Sequence, residues 1–233
     1  MSWSITGDAR TLCFNRDERR SRAEALPPAT QTRGGRRILA PVDPDGGGTW
    51  LGVNECGLVV ALLNFYPKAQ AERAGERSRG LLVMDALAEC RGAGEVGAWL
   101  RSADLKVYRG FICFAMGRAD EPMARRWDGD GLEALDLSDG MLSTSSVRDE
   151  ACRRYRAARL AGAASPDALR AAHLHVCPDD PALGPLVVRE DARTHSVSEI
   201  RLERGAARFT YSPVDPQTPR LIASFESTLP LIP

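Results

Sequence analysis

The sequence predicts an α+β fold with mainly antiparallel sheets. Pairs of short apolar runs separated by turn residues are typical of β-hairpins, and such pairs occur at the start of the chain, after Gly46, and in the last third. Helical stretches lie between the hairpins and do not alternate with single strands, which disfavours a parallel βαβ arrangement. The glycine run at residues 46–48 leads into a strand and lacks the Lys-Ser/Thr ending of a phosphate loop.

The first two hairpins account for most of the predicted strands in the amino-terminal part. We expect strands at Ser2–Thr6 and residues 11–14, and again at residues 49–53 and 58–64, with turn residues inside each pair. Between the hairpins the chain is charged at residues 15–22 and rich in Pro and Gly at 27–35, so we expect a long irregular connection there.

Helices and further strands follow from changes in hydrophobic periodicity. Ser78 is a typical N-cap residue ahead of an apolar stripe with helical spacing. We expect helices at residues 78–90, about 94–101, 148–162 and 166–175, and strands at 107–116, on both sides of 128–131, and at 186–190, 195–202, 207–211 and 221–225. No repeat or low-complexity linker interrupts this order, so we expect a single domain over residues 1–233.

The composition excludes several classes of protein. The 31 basic and 31 acidic residues balance to a net charge of zero, which argues against a dedicated nucleic-acid or membrane-surface binder. Hydrophobic residues make up 43% and charged residues 27%, as in soluble globular proteins. Neither a transmembrane stretch nor a signal peptide is visible. We therefore expect a cytoplasmic protein whose partner is a small molecule.

Cysteine and histidine spacing gives no metal signature. The six cysteines include no Cys-x-x-Cys pair, so we expect reduced thiols and no zinc site. His173 and His175 lie two residues apart on a predicted helix and therefore point in different directions, unlike an i, i+4 ligand pair. No Gly-x-Ser-x-Gly motif marks a serine hydrolase. We expect no bound metal and no required cofactor.

Three polar clusters interrupt the apolar pattern. The first is Asn15, Arg16, Asp17 and Glu18, which follows a predicted strand as either a solvated loop or a functional loop.

The second cluster is Thr49 and Trp50 between glycines, either a core tryptophan beside a turn or an aromatic wall for a ligand. The third is Asn64, whose carboxamide needs a backbone partner, a ligand or an oxyanion. From the residues alone we predict a polar site near the first two hairpins.

The sequence resembles the NRDE family, also called the transport and Golgi organisation protein 2 family. The resemblance starts with the Asn-Arg-Asp-Glu run and covers nearly the whole chain. The similar segments are residues 14–20, 40–43, 47–54, 57–58, 62–64, 78–83, 143–146 and 189–198. It implies a four-layer αββα sandwich of the amino-terminal-nucleophile hydrolase type. In relatives of that architecture, a cysteine exposed by removal of Met attacks a linear amide or ester, and its own α-amine is the base.

The resemblance also implies roles for individual residues. Asp17 would hold the α-ammonium group, Arg16 would orient the terminus or the substrate, and Asn64 would donate to the oxyanion. Trp50 would wall an acyl or flat hydrophobic ligand, and the remaining residues of the first two clusters, Asn15, Glu18 and Thr49, would contribute to ligand binding. An α-amine titrates near pH ~8, so it is a usable base near neutral pH.

The chain departs from the family pattern at its first residues. Family members typically begin Met-Cys-Thr and reach a tryptophan a few residues later, whereas this sequence reads Met1, Ser2, Trp3. Two explanations are open: Ser2 replaces the nucleophile, or Met1 is an internal start with a Met-Cys lying upstream, which we favour.

Three functions follow. The protein is an acyl or amide hydrolase, or a carrier of haem or acyl-coenzyme A that uses the same cleft, or a structural protein whose residues 15–18 join the hairpins.

Overall fold

A computed structural model describes residues 1–67, 76–163 and 165–232 of the chain. The chain divides into two compact units. Unit 1 consists of Met1–Glu24, Ser138–Arg204 and Arg208–Ser227, and unit 2 contains Ala25–Leu137 together with short pieces near residues 206 and 230. The α+β class is confirmed, since strands form two mainly antiparallel sheets and helices are few.

Twelve strands and four α-helices are assigned within the described residues. The strands are β1 (Ser2–Thr6), β2 (Ala9–Arg19), β3 (Leu26–Arg33), β4 (Arg36–Val42), β5 (Leu51–Asn54), β6 (Val59–Asn64), β7 (Phe111–Met116), β8 (Met123–Trp127), β9 (Leu132–Ala134), β10 (Ala192–Glu203), β11 (Ala206–Pro213) and β12 (Phe225–Pro230). The helices are α1 (Arg79–Glu89), α2 (Ala93–Ser102), α3 (Asp149–Leu160) and α4 (Pro166–His173). All four predicted helices are confirmed to within a few residues.

Unit 1 contains most of a five-stranded sheet in the order β1-β2-β10-β11-β12. Strand β2 lies between β1 and β10 and is antiparallel to both. Helix α4 packs on β1 and β2 and also contacts α3. Its N-cap is Ser165, whose hydroxyl accepts a hydrogen bond from the N–H of Ala168, and its first residue is Pro166. Leu169, Ala172 and His173 form its buried face.

Unit 2 is built on a seven-stranded sheet whose strands follow chain order from β3 to β9. Helices α1 and α2 pack on this sheet, and their apolar faces join its central strands in one hydrophobic cluster. Such sequential antiparallel pairing needs only short connections, which is why turn residues separate most of these strands.

Four details of the predicted strands are wrong. Residues 26–42 form the hairpin of β3 and β4 and are not an irregular connection. Strand β3 is at the edge of its sheet and largely exposed, so it carries no apolar alternation that would have revealed it. Residues 186–190 make only a single bridge, between Val188 and Arg193. The strand predicted from residue 107 begins at Phe111, after a short 3-10 turn, and the last strand is β12 instead of residues 221–225.

The Asn-Arg-Asp-Glu run lies inside β2 and is not a solvated loop after a strand. Strand β10 pairs with β2 as far as Arg19, with a β-bulge between Thr194 and Ser196. The polar side chains of this run therefore sit on a paired strand, where most of them find partners within the protein. None of the helices in the described ranges is long and apolar enough to cross a membrane.

Candidate active site at the start of the first strand

Register and strand alternation put the polar side chains of β1 and β2 on one face of the unit 1 sheet. Ser2 is paired with Cys13, and side chains two residues apart on a strand share a face. Ser2, Asn15 and Asp17 therefore lie on one face of the sheet. Arg16 is buried on the opposite face, so the structure does not bring it to these three residues.

Helix α4 adds a histidine to this face. The Oγ atom of Ser2 lies 2.7 Å from Nε2 of His173, and Nδ1 of the same ring lies 2.7 Å from Oδ1 of Asn15. Ser2 is 1% exposed and His173 is 2% exposed. Burial, followed by the charges of the amino terminus and Arg156, lowers the pKa of His173 well below 6.5, so the ring is neutral at pH 7.

The hydrogen bonds of Asn15 determine the tautomer of His173. The amide nitrogen of Asn15 donates to the backbone oxygens of His173 (2.9 Å) and Pro185 (2.7 Å), which leaves Oδ1 as the atom that faces the ring. An amide oxygen can only accept, so Nδ1 of His173 carries the hydrogen. Nε2 of the neutral ring is then the acceptor, and the hydroxyl of Ser2 donates to it.

The chain's α-amine lies in the same buried region of unit 1. The amino group of Met1 donates to the backbone oxygen of Leu142 (2.9 Å), while Leu142 N–H donates to the oxygen of Met1 (3.0 Å). Burial and the charge of Arg156 lower the pKa of this amine to about 5, against the opposing effect of Asp17. The amine is therefore mostly uncharged at neutral pH.

Asp17 and Arg156 form the charged part of the cluster. Oδ1 of Asp17 accepts a 2.6 Å hydrogen bond from the hydroxyl of Thr194, and Oδ2 lies 3.9 Å from the guanidinium of Arg156. Burial raises the pKa of Asp17, while the charge of Arg156 and the Thr194 hydrogen bond oppose that shift. Arg156 also donates to Ser143 Oγ (2.9 Å) and to the backbone oxygen of Gly184 (3.1 Å), which fix its position.

The other predicted site residues are distributed differently. The carboxylate of Glu18 accepts a 3.4 Å hydrogen bond from the N–H of Arg19. Thr49, Trp50 and Asn64 belong to unit 2.

In that unit, Thr49 and Trp50 are buried, and the hydroxyl of Thr49 donates to the backbone oxygen of Leu51 (2.9 Å). Asn64 ends β6 and is half-buried, and within the described part of the chain its carboxamide makes no hydrogen bond.

Two residues of the cluster, His173 and Arg156, were not among the site residues predicted from the sequence. Each is four residues after a buried apolar residue of its own helix, Leu169 in α4 and Cys152 in α3. A polar side chain at i+4 from a core residue shares the buried face of a helix, so this spacing could have indicated that His173 and Arg156 are buried. His173 and His175 do point in different directions, as predicted, because the His175 ring meets the hydroxyl of Tyr155 instead.

The cluster can activate a hydroxyl group. It contains a serine hydroxyl bound to a neutral imidazole, together with a neutral amine and an Asp-Arg pair, and a serine hydroxyl beside a base is the arrangement in which serine is activated as a nucleophile. Among the residues that the structure describes, no group of three or more His, Cys, Asp or Glu side chains is arranged to hold a metal ion.

Comparison with solved structures shows that the fold is that of the amino-terminal-nucleophile hydrolases. The chain is similar to penicillin V acylase from Agrobacterium tumefaciens, with a TM-score of 0.57, 12% identity and coverage of 91% of this chain and 81% of that one. It is also similar to a Caenorhabditis elegans orthologue of N-acylethanolamine-hydrolyzing acid amidase, with a TM-score of 0.56, 10% identity and coverage of 85% and 90%.

A variant of the conjugated bile acid hydrolase from Clostridium perfringens matches with a TM-score of 0.51, 14% identity and coverage of 99% of this chain and 87% of that one. At these identities the likeness concerns the fold alone.

Family comparison is more specific. The Transport and Golgi organisation 2 (TANGO2) family matches residues 9–126, so the chain belongs to this family. None of the curated proteins matches the chain.

Proposed function

We propose that this TANGO2-family protein hydrolyses or transfers an acyl group held in an amide or ester bond, with Ser2 as the nucleophile. The observation that carries the proposal is the 2.7 Å hydrogen bond between Ser2 Oγ and a neutral ring nitrogen of His173. A serine hydroxyl is a weak nucleophile unless an adjacent base accepts its proton. The solved structures with this fold include an acylase and an amidase, which supports acyl chemistry as the class to test.

Burial sets a condition on this reaction. Ser2 is 1% exposed, so a substrate carbonyl reaches Oγ only when the residues that cover it move.

The role of oxyanion donor that the family resemblance implies for Asn64 stays a proposal, and its carboxamide makes no hydrogen bond within the described residues. The Asn64→Ala variant is expected to lose about 10²–10³-fold in kcat with acyl substrates if it donates to a developing oxyanion. Its stability is expected to change by less than about 1 kcal/mol, since no internal hydrogen bond is lost. Unchanged kcat would remove Asn64 from the reaction.

Turnover of a panel of acyl amides, lactams and thioesters tests the proposal. Ser2→Ala is expected to abolish turnover, and Ser4→Ala is the matched control because Ser4 lies on the same strand face, two residues farther from the site. Equal turnover by the wild type and Ser2→Ala would contradict the proposal. Absence of turnover with every substrate would favour the carrier function predicted from the family resemblance, for which a 1:1 haem titration with a Soret shift is the positive test.

A further inference from the structure

The buried face of unit 1 contains two groups that could take the proton of Ser2. One is the α-amine of Met1, and the other is the imidazole of His173. The amine that the family resemblance implies as the base is a different one, that of the nucleophilic residue itself after removal of Met; in this structure the corresponding nitrogen of Ser2 is a peptide nitrogen and cannot accept a proton. The amine of Met1 is directed at the backbone oxygen of Leu142 (2.9 Å), whereas His173 Nε2 lies 2.7 Å from Ser2 Oγ itself. Contact with the proton to be transferred is the first requirement of a general base.

We propose that His173, held as its Nδ1–H tautomer by Asn15, is the general base for Ser2. This inference rests on the proposed acyl-transfer function. Ser2, His173 and Asn15 thus form a relay in which the asparagine is a positioning residue and the histidine is a catalytic residue. The relay connects β1, α4 and β2, and each of its three members is placed by a different element of the fold.

The serine proton and the bonds that form and break can be followed through each step of the reaction. As Ser2 Oγ attacks the carbonyl carbon, its proton moves to Nε2 of His173. The imidazolium then donates that proton to the leaving nitrogen or oxygen as its bond to the carbonyl carbon breaks, which leaves an ester on Ser2. Water repeats the sequence: Nε2 takes its proton, the hydroxide portion attacks the ester, and the proton returns to Oγ as the acid leaves.

Asn15 has two roles that other side chains would not combine. Its amide nitrogen donates to the backbone oxygens of His173 and Pro185, which fixes the end of α4, and its oxygen accepts from Nδ1. Because Oδ1 has no hydrogen to offer, Nδ1 must remain the donor and Nε2 is kept free to accept. Without this bond both neutral tautomers become available, and in one of them Nε2 carries a hydrogen and cannot act as a base.

Labelling with a small fluorophosphonate tests the base without knowledge of the substrate. The reagent forms an Oγ–P bond on an activated serine, and fluoride leaves while the serine proton passes to the base. Intact mass and peptide mapping give the labelling rate at Ser2. We expect His173→Gln, which preserves a polar group at the Nε2 position, to lower this rate about 10²–10⁴-fold.

The matched control is His175→Gln, which changes a histidine whose ring binds the hydroxyl of Tyr155, whereas the hydroxyl of Ser2 binds His173. We expect its labelling rate to stay within about 3-fold of the wild type. If His173→Gln is labelled as fast as the wild type, the relay is overturned while Ser2 remains a nucleophile. If the folded wild type is not labelled at Ser2, the proposed function fails and the relay fails with it.

Nitrogen NMR of ¹⁵N-histidine-labelled protein tests the role of Asn15. The wild type is expected to show His173 with a protonated Nδ1 and an unprotonated Nε2. Asn15→Ala is expected to show a tautomer mixture and at least about 10-fold slower labelling of Ser2, a combination that a purely structural residue would not produce. A wild-type ring protonated at Nε2 would overturn the assignment.

Discussion

Two asparagines, one in each unit, show how similar hydrogen bonding serves different purposes. Asn54 in unit 2 is 0% exposed and bonds only to backbone: its nitrogen donates to Leu87 and Cys90, and its oxygen accepts from Cys56 and Leu58.

Asn15 in unit 1 also donates to two backbone oxygens, but its oxygen meets the ring of His173. The two residues therefore differ in the partner of the carboxamide oxygen. Asn54 connects a turn to a helix, whereas Asn15 determines the tautomer of His173.

The largest expected effect on stability is at Asn54. Asn54→Ala removes four hydrogen bonds and leaves their buried backbone partners without a replacement, so we expect the free energy of unfolding to fall by about 3 kcal/mol or more. Denaturant unfolding measures this loss. Fluorophosphonate labelling of Ser2 in the folded variant is expected to stay within about 3-fold of the wild type, because the loss does not touch the relay.

Asn15→Ala is expected to have a smaller effect on stability and a larger effect on labelling. It removes three hydrogen bonds of a half-buried side chain, which predicts a loss of about 2 kcal/mol. If Asn54→Ala slows labelling of Ser2 as much as Asn15→Ala does, the distinction between a structural Asn54 and a positioning Asn15 is wrong.

The acid side of the stability profile depends on the buried histidines. His173 has a pKa well below 6.5 in the folded chain, so the unfolded chain binds more protons as the pH falls below about 6.5. The free energy of unfolding therefore decreases with falling pH in that range, by up to about 1.4 kcal/mol per pH unit for one proton.

The His173→Gln variant isolates this contribution. It removes the contribution of His173 to the pH dependence of the free energy of unfolding. It keeps the contributions of the α-amine and His195, whose pKa values are about 5 and about 4. The neighbouring charge of Arg156 also remains. We expect a shallower decrease below pH 6.5 in this variant than in the wild type, measured by denaturant unfolding at several pH values. Parallel profiles would show that His173 is not buried as a neutral ring.

The smallest expected effect is at Glu18. Its carboxylate accepts one long hydrogen bond from the neighbouring Arg19 N–H, and it is not part of the relay. Glu18→Gln is therefore expected to change the free energy of unfolding by less than about 0.5 kcal/mol and to leave the labelling rate of Ser2 unchanged. A marked loss of labelling would show that the charge of the whole Asn-Arg-Asp-Glu run, and not Asn15 alone, supports the site.

Local chemistry predicted much of the fold. Ser78 ahead of an apolar stripe correctly marked the start of α1, and the first hairpin was predicted by its turn residues. The hairpin of β3 and β4 could not be predicted, because an exposed edge strand lacks the alternation that reveals a half-buried one.

The site was predicted only in part. Ser2, Asn15 and Asp17 were singled out, but pairing with β10 is a long-range property, and the four-residue run was therefore expected in a loop. His173 was considered only as one of a metal-ligand pair. Its placement opposite Ser2 depends on how α4 packs against β1, which no local pattern of residues specifies.

The most direct test of the central claim is to trap the covalent intermediate. The protein is mixed with a lactam that deacylates slowly, quenched in acid, and digested for peptide mass mapping. We predict an added mass equal to that of the whole lactam, because its ring opens and the leaving nitrogen stays attached to the acyl group. This mass is expected on the amino-terminal peptide at Ser2 and is expected to be absent from Ser2→Ala. Turnover of the same lactam with no adduct on Ser2, or with an adduct that persists in Ser2→Ala, would contradict the assignment of Ser2 as the nucleophile.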